Sequence, residues 1–479
     1  MTTPSRLLRA DAPPPRPLLL RAGAPPPRPP LLHANPPRPP LLRCAPLRPP
    51  LLLLLATLVL LLLLLQAPLC GASLDRCFYW ETNRGIEASF PKGVGKFGLN
   101  LFKKVVATRG VEESLVLSPY SVWSALCLAF FGSKGSTRAQ LAQALRLSAK
   151  TTTFTNWQSL QERLVGGRSA TGQGGGATTT TFVSTNKAYF AQHLRLDPCL
   201  RNTLPEMETL DFGSPALAAD QINAVVSRAT HGEITDLVNA AILTDVEFLL
   251  LNAVFFKGRW KTIFPEERTE LRPFHASAGG DVRVPMMTVV DMFKYAPAVQ
   301  MGATLVELPY ERGFSLLVLL PMAGVRVEEV VANLSRKKVE QARGSAVHAE
   351  VQVAIPRFSI TSRVDEQLKQ VLGQLGVTDL FTHTADLEAF VQGNVRLNSV
   401  IHQATVRVTE EGTVAAGATG VLGTRVGPTK FTCDRPFIFV LVDDQMGLPI
   451  ITGVYSGPDS GPTGAVRFPR RAQQVPTTT

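Results

Sequence analysis

The sequence predicts an α+β fold, and two hydrophobic patterns support this prediction. Apolar residues recur at helical spacing early in the chain, whereas continuous branched and aromatic runs typical of buried strands occur later. The length of 479 residues would ordinarily suggest about three domains. No stretch of linker composition divides residues 97–458, so we expect one large domain there.

The first predicted element is an amphipathic helix. Phe97, Leu101 and Val105 recur at helical spacing, with Phe102 and Val106 alongside them. These five residues predict a helix with one apolar face.

A later helix is predicted to begin at Ser214 and Pro215, the residue types favoured at an N-cap and at the first helical position. Gly232 is expected to end it. Its predicted apolar face consists of Ala218, Ile222, Val225 and Ala229.

Four continuous apolar runs predict buried strands. They cover residues 248–251, 316–320, 437–442 and 448–454. The Gly- and Thr-rich residues 166–180 are expected to form a flexible connection.

Residues 1–72 have a different character from the rest of the chain. Pro-Arg-Pro units followed by leucines form a low-complexity repeat, and residues 51–65 are a continuous apolar run. This run is short for a membrane span but suits the apolar region of a secretion signal, with small residues offering a cleavage site near Ala72. We therefore expect a secreted, extracellular protein, with a signal-anchored protein as the alternative.

Most of the net charge of +11 also lies in this leader. Residues 1–72 hold eight Arg and one Asp, which leaves about +4 for the rest. Neither nucleic acid nor a membrane is expected as a partner.

The cysteines and histidines do not define a catalytic or metal site. The cysteines of the mature chain, Cys77, Cys127, Cys199 and Cys433, lack a regular spacing, and their pairing cannot be deduced. Cys127 stands in an apolar run and is expected to be buried. The seven histidines are scattered singly, and neither a nucleophile elbow nor a phosphate-binding glycine loop is present. We expect no catalytic residue, no metal and no cofactor.

The most informative segment is residues 410–430. No charged residue occurs within residues 412–424, and Arg425 then stands alone among small residues. If this segment became a strand, one face would carry Thr413, Ala415, Gly417, Thr419, Val421 and Gly423, and the other Val414, Ala416, Ala418, Gly420, Leu422 and Thr424. Both faces could be buried without an uncompensated charge. A mobile surface loop explains the same composition.

Motifs along residues 97–458 resemble those of the serpin family, the serine protease inhibitors. They are Ser118-Pro119-Tyr120-Ser121, Asn252-Ala253-Val254-Phe255-Phe256-Lys257-Gly258-Arg259-Trp260, Val284-Pro285-Met286-Met287, Ile355-Pro356-Arg357-Phe358, Leu375-Gly376-Val377-Thr378-Asp379-Leu380-Phe381, the hinge Glu411-Gly412-Thr413 with Ala415-Ala416, and Asp434-Arg435-Pro436-Phe437. Within the family, the hinge and the Arg bait look most like the plasminogen activator inhibitor and protease nexin branch.

The resemblance implies a serpin-like fold with a large central, mostly antiparallel sheet, about nine helices, two smaller sheets and an exposed reactive-centre loop. It also implies suicide inhibition, in which a protease attacks the loop and the cut loop inserts into the main sheet. The implied hinge residues are Glu411, Gly412, Thr413, Val414, Ala415, Ala416, Gly417, Ala418 and Thr419. The implied domains are a leader (1–72), a serpin domain (73–458) and a polar tail (459–479).

The reactive bond is expected between Arg425 and Val426, which suits a trypsin-like protease because its pocket carries a buried Asp. Counting from Gly412 by the usual family length instead puts the cut after Val426 and favours an elastase-like enzyme. The candidate targets are a plasminogen activator, plasmin, thrombin and trypsin. The inhibitor is expected to be monomeric.

Further residues receive roles through the resemblance. Ser118, Ser121, Asn252 and His402 match a polar network beneath the opening sheet, called the shutter, and Trp260 matches the breach, where insertion starts. Asn333 begins the sequon Asn-Leu-Ser and is a predicted glycosylation site.

Heparin activation is common in the family and usually involves a basic helix. Here the matching segment carries Phe154, Trp157, Leu160 and Leu164 on one face, but its polar face is not basic. Only weak polyanion binding is expected, with Lys103 and Lys104 as contributors. The alternative to inhibition is a non-inhibitory serpin that acts as a carrier or a protease substrate.

Overall fold

The computed structural model describes Cys77 and residues 86–166, 180–277, 279–411 and 427–458. This part of the chain contains nine α-helices and fourteen β-strands, which confirms the α+β prediction and the expected helix number. The helices are α1 Phe90–Arg109, α2 Pro119–Gly132, α3 Gly135–Leu145, α4 Lys150–Gln161, α5 Pro198–Thr203, α6 Pro215–Ala229, α7 Val327–Asn333, α8 Arg336–Ser345 and α9 Glu366–Gln374. The strands are β1 Leu115–Leu117, β2 Thr181–Ala191, β3 Met207–Leu210, β4 Phe248–Lys257, β5 Glu270–His275, β6 Asp281–Ala298, β7 Ala303–Pro309, β8 Phe314–Pro321, β9 Val347–Pro356, β10 Phe358–Val364, β11 Ser399–Val408, β12 Thr429–Thr432, β13 Phe437–Asp443 and β14 Leu448–Tyr455.

Helix α1 forms where the apolar spacing predicts it. All five of the residues that predicted it are buried. The helix ends at Gly110, which has a φ of 85° and donates its N–H to the carbonyl of Val106. A positive φ at this position is easily adopted only by glycine, so Gly110 gives the helix a defined end.

Helix α6 begins at the predicted residues but differs from the prediction in two details. Ser214 occupies the N-cap position, yet its side chain accepts no capping hydrogen bond. Val226 is fully buried, whereas Val225 and Ala229 of the predicted face are only partly buried. A repeat of 3.6 residues does not decide between two adjacent valines at the edge of a face, and the neighbouring sheet selects Val226.

The four predicted apolar runs all lie in strands, namely β4, β8, β13 and β14. Nearly every residue of these strands is buried, as expected of strands covered on both faces. The connection predicted for residues 166–180 lies almost entirely outside the described residues.

The described strands form two sheets. One has five strands in the order β10-β11-β4-β2-β3, in which β11 pairs with β4 and β2 pairs with β3 in parallel. The other has nine strands, with only β12 and β9 parallel. Strand β6 spans 18 residues and pairs with β5, β7 and β9. Because of this long strand, one nine-stranded sheet stands where the resemblance implied two smaller sheets.

Both faces of the five-stranded sheet are covered. Leu249, Leu251 and Ala253 of β4 pack in a hydrophobic cluster with α6, whereas Leu250 and Val254 pack in the main core. Successive residues of a strand point to opposite faces, so these two clusters lie on the two sides of the sheet. A strand buried between these two clusters could carry no uncompensated charge on either face.

The described residues contain one disulfide and two free cysteines. Cys77 and Cys199 form a disulfide that joins the segment before α1 to α5. Cys127, expected to be buried, has no exposed surface and remains a free thiol, as does Cys433. No helix within the described ranges is long and apolar enough to cross a membrane.

Close packing at Gly453 gives a first test of this fold. A Cβ at this position of β14 would lie 2.5 Å from the carbonyl oxygen of Leu115 and 2.1 Å from the ring of Phe439. We expect Gly453→Ala to lower the free energy of unfolding by about 1–3 kcal/mol, because neighbouring backbone must move. Urea denaturation measures this change.

Gly344→Ala is the matched control, because a Cβ at this helical position would meet no atom within 4 Å. We expect this variant to be stabilised by up to about 1 kcal/mol through helix propensity. Equal effects of the two substitutions would contradict the described packing of β1, β13 and β14.

Candidate functional site

The candidate site lies where β4 and β11 run side by side. The two strands are paired in parallel from Ser399 opposite Leu249 to Arg407 opposite Lys257. Strand β11 ends at Val408, and residues 410–430, called the bait segment from here on, follow almost directly. The site therefore combines a parallel strand pair with the segment that leaves one of its ends.

His402 and Asn252 are direct neighbours across this strand pair. His402 is fully buried, and its Nε2 accepts the backbone N–H of Ser118 at 3.1 Å. The proton of the neutral ring must therefore lie on Nδ1, which donates to Oδ1 of Asn252. A side-chain hydrogen bond thus crosses the boundary between β4 and β11.

Burial lowers the pKa of His402 to about 3, because a charged imidazolium would be desolvated there. The ring is consequently neutral at physiological pH. Neutrality keeps one nitrogen as a donor and the other as an acceptor, which is the arrangement that the two partners require.

Ser118 and Ser121 connect the same network to α2. Ser118 is the N-cap of α2, and its Oγ donates to the carbonyl of Ile450 at 2.8 Å and accepts the N–H of Ser121 at 3.3 Å. The Ser121 hydroxyl bonds to that of Ser184 on β2. The structure therefore brings together all four residues assigned to the shutter.

The network extends beyond the residues that the sequence singled out. Asn252 donates through Nδ2 to Oδ1 of Asn186, its direct neighbour on β2. Asn186 donates to Oγ of Ser124 at 3.2 Å, which also accepts Nε1 of Trp157 at 2.8 Å. The buried chain therefore links β11, β4, β2, α2 and α4.

Trp260 lies at the other end of the strand pair, against the start of the bait segment. Its backbone N–H donates to the carbonyl of Glu411 at 3.0 Å, and its Nε1 donates to the carbonyl of Thr409 at 2.6 Å. The indole is 1% exposed and stacks on Tyr310, with ring centroids 3.9 Å apart. Trp260 thus fixes the segment between β11 and the loop.

Two acidic side chains strengthen this attachment. Glu411 forms an ion pair with Lys257 of β4 at 2.8 Å. The adjacent Glu410 is nearly buried and accepts from Thr269 at 2.9 Å and Arg357 at 3.3 Å. Glu410 and Thr269 had no role predicted from the sequence, and Lys257 and Arg357 appeared there only as members of family motifs.

The far side of the loop is also anchored. Arg435 donates to the carbonyl of Pro321 at 2.7 Å and pairs with the Asp434 carboxylate. The Asp434 carbonyl accepts the N–H of His275 at 2.8 Å. The two ends of the bait segment therefore attach to different sheets.

Several predicted residues cannot be placed. Gly412, Thr413, Val414, Ala415, Ala416, Gly417, Ala418 and Thr419 of the hinge, together with Arg425 and Val426, lie outside the described residues. Of the predicted hinge, only Glu411 is described.

The remaining candidates are the predicted sequon, the apolar face that includes Trp157, and two lysines of α1. Asn333 is exposed at the last residue of α7, and Ser335 of the same sequon caps α8 by accepting the N–H of Lys338. Phe154, Trp157, Leu160 and Leu164 are buried as the helical spacing suggests. Lys103 and Lys104 of α1 are partly buried.

The chain is similar to known proteins over most of its length. The family model described as serpin (serine protease inhibitor) matches residues 92–458. Iripin-2 of Ixodes ricinus is 32% identical over 373 residues, which cover 74% of this chain and 90% of that protein. Human glia-derived nexin is 28% identical over 380 residues, which cover 75% and 92%. The crystal structure of native protease nexin-1 with heparin matches at 26% identity with a TM-score of 0.70, covering 78% of this chain and 100% of its own.

The neutral state of His402 predicts a pH dependence. In the unfolded chain its pKa returns to about 6.5, so between that value and the folded value of about 3 the unfolded state binds more protons. Stability should therefore fall as pH falls through this range. Between about pH 7 and pH 5 we expect the wild-type chain to lose about 2 kcal/mol more of its unfolding free energy than His402→Gln.

Urea denaturation at the two pH values measures this difference. Asp365, which accepts a backbone hydrogen bond from His402, titrates in both proteins and cancels in the comparison. Identical pH slopes for the two proteins would mean that His402 is not held neutral by burial.

The attachment at Trp260 gives a local prediction. Trp260→Phe keeps an aromatic ring against Tyr310 but removes the donor to Thr409, at a cost of about 1–3 kcal/mol. We expect faster hydrogen–deuterium exchange in residues 405–411, measured by mass spectrometry.

Trp123→Phe is the control, because this indole also donates to a buried backbone carbonyl, but to that of Leu145 and not to the residues that lead into the loop. Accelerated exchange of residues 405–411 in both variants would indicate general destabilisation and contradict a local attachment.

Proposed function

The chain belongs to the serpin family, and from this premise we propose that it is an irreversible, loop-inserting inhibitor of a trypsin-like serine protease. The protease would attack the bond between Arg425 and Val426 and form an acyl-enzyme. The freed loop would then enter the five-stranded sheet before water completes hydrolysis. The inhibitor contributes no catalytic residue.

The observation that carries this proposal is the parallel pairing of β4 with β11. A segment that leaves β11 at Val408 and turns back runs antiparallel to β11, and therefore also antiparallel to β4. Insertion would replace one parallel pairing by two antiparallel ones, which adds backbone hydrogen bonds and favours the more stable pairing geometry. The native chain stores this gain as long as the loop is intact.

The composition of the loop supports the same proposal. Because hydrophobic clusters cover both faces of the sheet, an inserted strand must be free of charge on both faces. Residues 412–424 meet this requirement on both faces. Twelve inserted residues would carry an attached protease about 40 Å at about 3.3 Å per residue.

The hydrogen bond between His402 and Asn252 would have to open during insertion, because it crosses the strand pair that separates. We assign Ser118, Ser121, Asn252 and His402 to a shutter on this basis. Trp260 and Lys257 hold the start of the loop and would be the first contacts to change.

Arg425 is proposed as the bait because it is the only charged residue between Glu411 and Lys430. Plasminogen activators, plasmin, thrombin and trypsin are the proposed target class. A cut after Val426 by an elastase-like enzyme would change the target class but leave the mechanism unchanged.

We also propose that the protein is secreted and that residues 1–72 form the leader of a domain spanning 73–458, followed by a tail of 459–479. The Cys77–Cys199 disulfide supports an oxidising compartment. Glycosylation at the exposed Asn333 and weak polyanion binding through α1 belong to the same proposal.

Mixing the chain with trypsin, thrombin, plasmin and a plasminogen activator tests the proposal directly. We expect a denaturant-resistant complex with at least one of them, and a released peptide that starts at Val426. Arg425→Ala should abolish this complex. Clean cleavage without a complex would leave the alternative of a non-inhibitory serpin.

Thr413→Arg tests insertion separately from recognition. A charge at this position would be buried in the sheet, so we expect cleavage at an unchanged rate but with most of the complex lost. Thr384→Arg, at an exposed residue outside the segment 410–430, should leave complex formation unchanged. Equal complex formation by Thr413→Arg and the wild type would contradict insertion of the hinge.

A further inference from the structure

Trp157 of α4 takes part in the buried network that ends at His402. It is 4% exposed, and its Nε1 donates to Oγ of Ser124 at 2.8 Å. The sequence predicted only an apolar role for this residue. A buried indole needs an acceptor for its N–H, and a backbone carbonyl serves this need for Trp123, which donates to Leu145. Trp157 instead uses a side chain that also holds an amide of the network.

Ser124 is the acceptor that Trp157 shares with Asn186. Its Oγ accepts Nδ2 of Asn186 at 3.2 Å in addition to the indole N–H. A hydroxyl oxygen has two acceptor positions, so these two donors fill both of them. A serine side chain has three staggered rotamers, and the two hydrogen bonds hold the one in which Oγ faces Asn186.

The orientation of the amides is passed along the network from this point. Asn186 directs Nδ2 to Ser124 and therefore presents Oδ1 to Nδ2 of Asn252, its neighbour on β4. Asn252 in turn presents Oδ1 to Nδ1 of His402. Ser124 thus helps to fix the amide that makes the hydrogen bond across β4 and β11.

The packing around Trp157 holds its N–H in place. The indole meets the ring of Phe131 edge-on at a centroid distance of 5.6 Å and lies 6.0 Å from the ring of Phe154. Both of these rings are buried. Close packing of this kind restricts the indole to one orientation, and its N–H can only donate. Trp157 is therefore a fixed donor at the α4 end of the network.

We propose that Trp157 is a positioning residue for loop insertion. Through Ser124 and Asn186 it fixes the amide of Asn252. The fixed amide keeps its hydrogen bond to His402, and this raises the barrier to separation of β4 and β11. The inference rests on the proposed function, in which these two strands separate. Its structural part, the coupling of α4 to the strand pair, does not require a protease to be tested.

Trp157→Phe keeps an aromatic ring against Phe131 but removes the indole N–H. In the uncleaved chain we expect hydrogen–deuterium exchange of residues 249–257 and 399–408 to become about threefold faster, which is the usual order of effect for a residue within a coupled network. Mass spectrometry measures this exchange. At saturating trypsin, the limiting rate constant of complex formation should rise by a similar factor.

Trp123→Phe is the matched control, because it removes an indole donor that is equally buried but outside the network. Its effect on exchange reports general destabilisation. We expect the acceleration in Trp157→Phe to exceed that in Trp123→Phe. Circular dichroism of each variant checks that it is folded.

Ser124→Ala removes the acceptor through which Trp157 acts. In this background we expect Trp157→Phe to have no further effect on the exchange of the two strands, because both changes break the same connection.

Equal acceleration by Trp157→Phe and Trp123→Phe would overturn the inference. An undiminished effect of Trp157→Phe in the Ser124→Ala background would overturn it as well. An excess for Trp157→Phe that disappears in that background would support it. Failure of the wild-type chain to form a complex with any protease would contradict the proposed function, whereas exchange in the uncleaved chain still decides whether α4 is coupled to the strand pair.

Discussion

The parallel pairing of β4 with β11 is the constraint on which the rest of the structure depends. Two parallel neighbours leave room, in topological terms, for one strand of opposite direction between them, and the chain that leaves β11 can supply it. Under the proposed mechanism, insertion would give a better-paired sheet than the one the fold adopts. In the structure, the residues on either side of this segment are attached to two different sheets, which we propose opposes the change.

Two sets of contacts hold β4 and β11 together, and they lie at different positions along the strand pair. Within the strand pair, the His402–Asn252 hydrogen bond belongs to a series of buried hydrogen bonds that extends from Ser118 to Trp157. Separating the two strands would therefore disturb several elements together. At the end of the strand pair where β11 leads into the loop, Trp260 and Lys257 hold the residues that follow β11. Each contact is worth only about 1 kcal/mol on the usual scale of net hydrogen-bond energies, so the closed state is maintained by their number and connection.

Helix α6 adds a second reason for the composition of the loop. It covers one face of the five-stranded sheet by packing in one cluster with Leu249 and Leu251 of β4 and Ile401 of β11, while the main core covers the other face. An inserted strand would meet apolar surroundings on both sides. This accounts for a loop that lacks charge on both faces. A strand that packed against a core on one side only could carry charged residues on its other face.

Much of the fold could be predicted from the sequence, because it depends on local patterns. Phe97, Leu101 and Val105 predicted α1, and four apolar runs predicted four buried strands. The partners within the buried network could not be predicted in the same way. Asn186 and Ser124 are polar residues in apolar segments, and only the strand register brings them to Asn252 and Trp157. The Cys77–Cys199 pairing likewise depends on a tertiary contact across 122 residues.

The central claim is that the cut loop becomes a strand between β4 and β11. A crystal structure of the chain cleaved at the loop tests it most directly. We expect residues 413–424 to lie antiparallel to both strands, with Asn252 and His402 no longer paired across the boundary. A structure in which β4 and β11 remain hydrogen-bonded to each other, with the cut loop outside the sheet, would contradict the account.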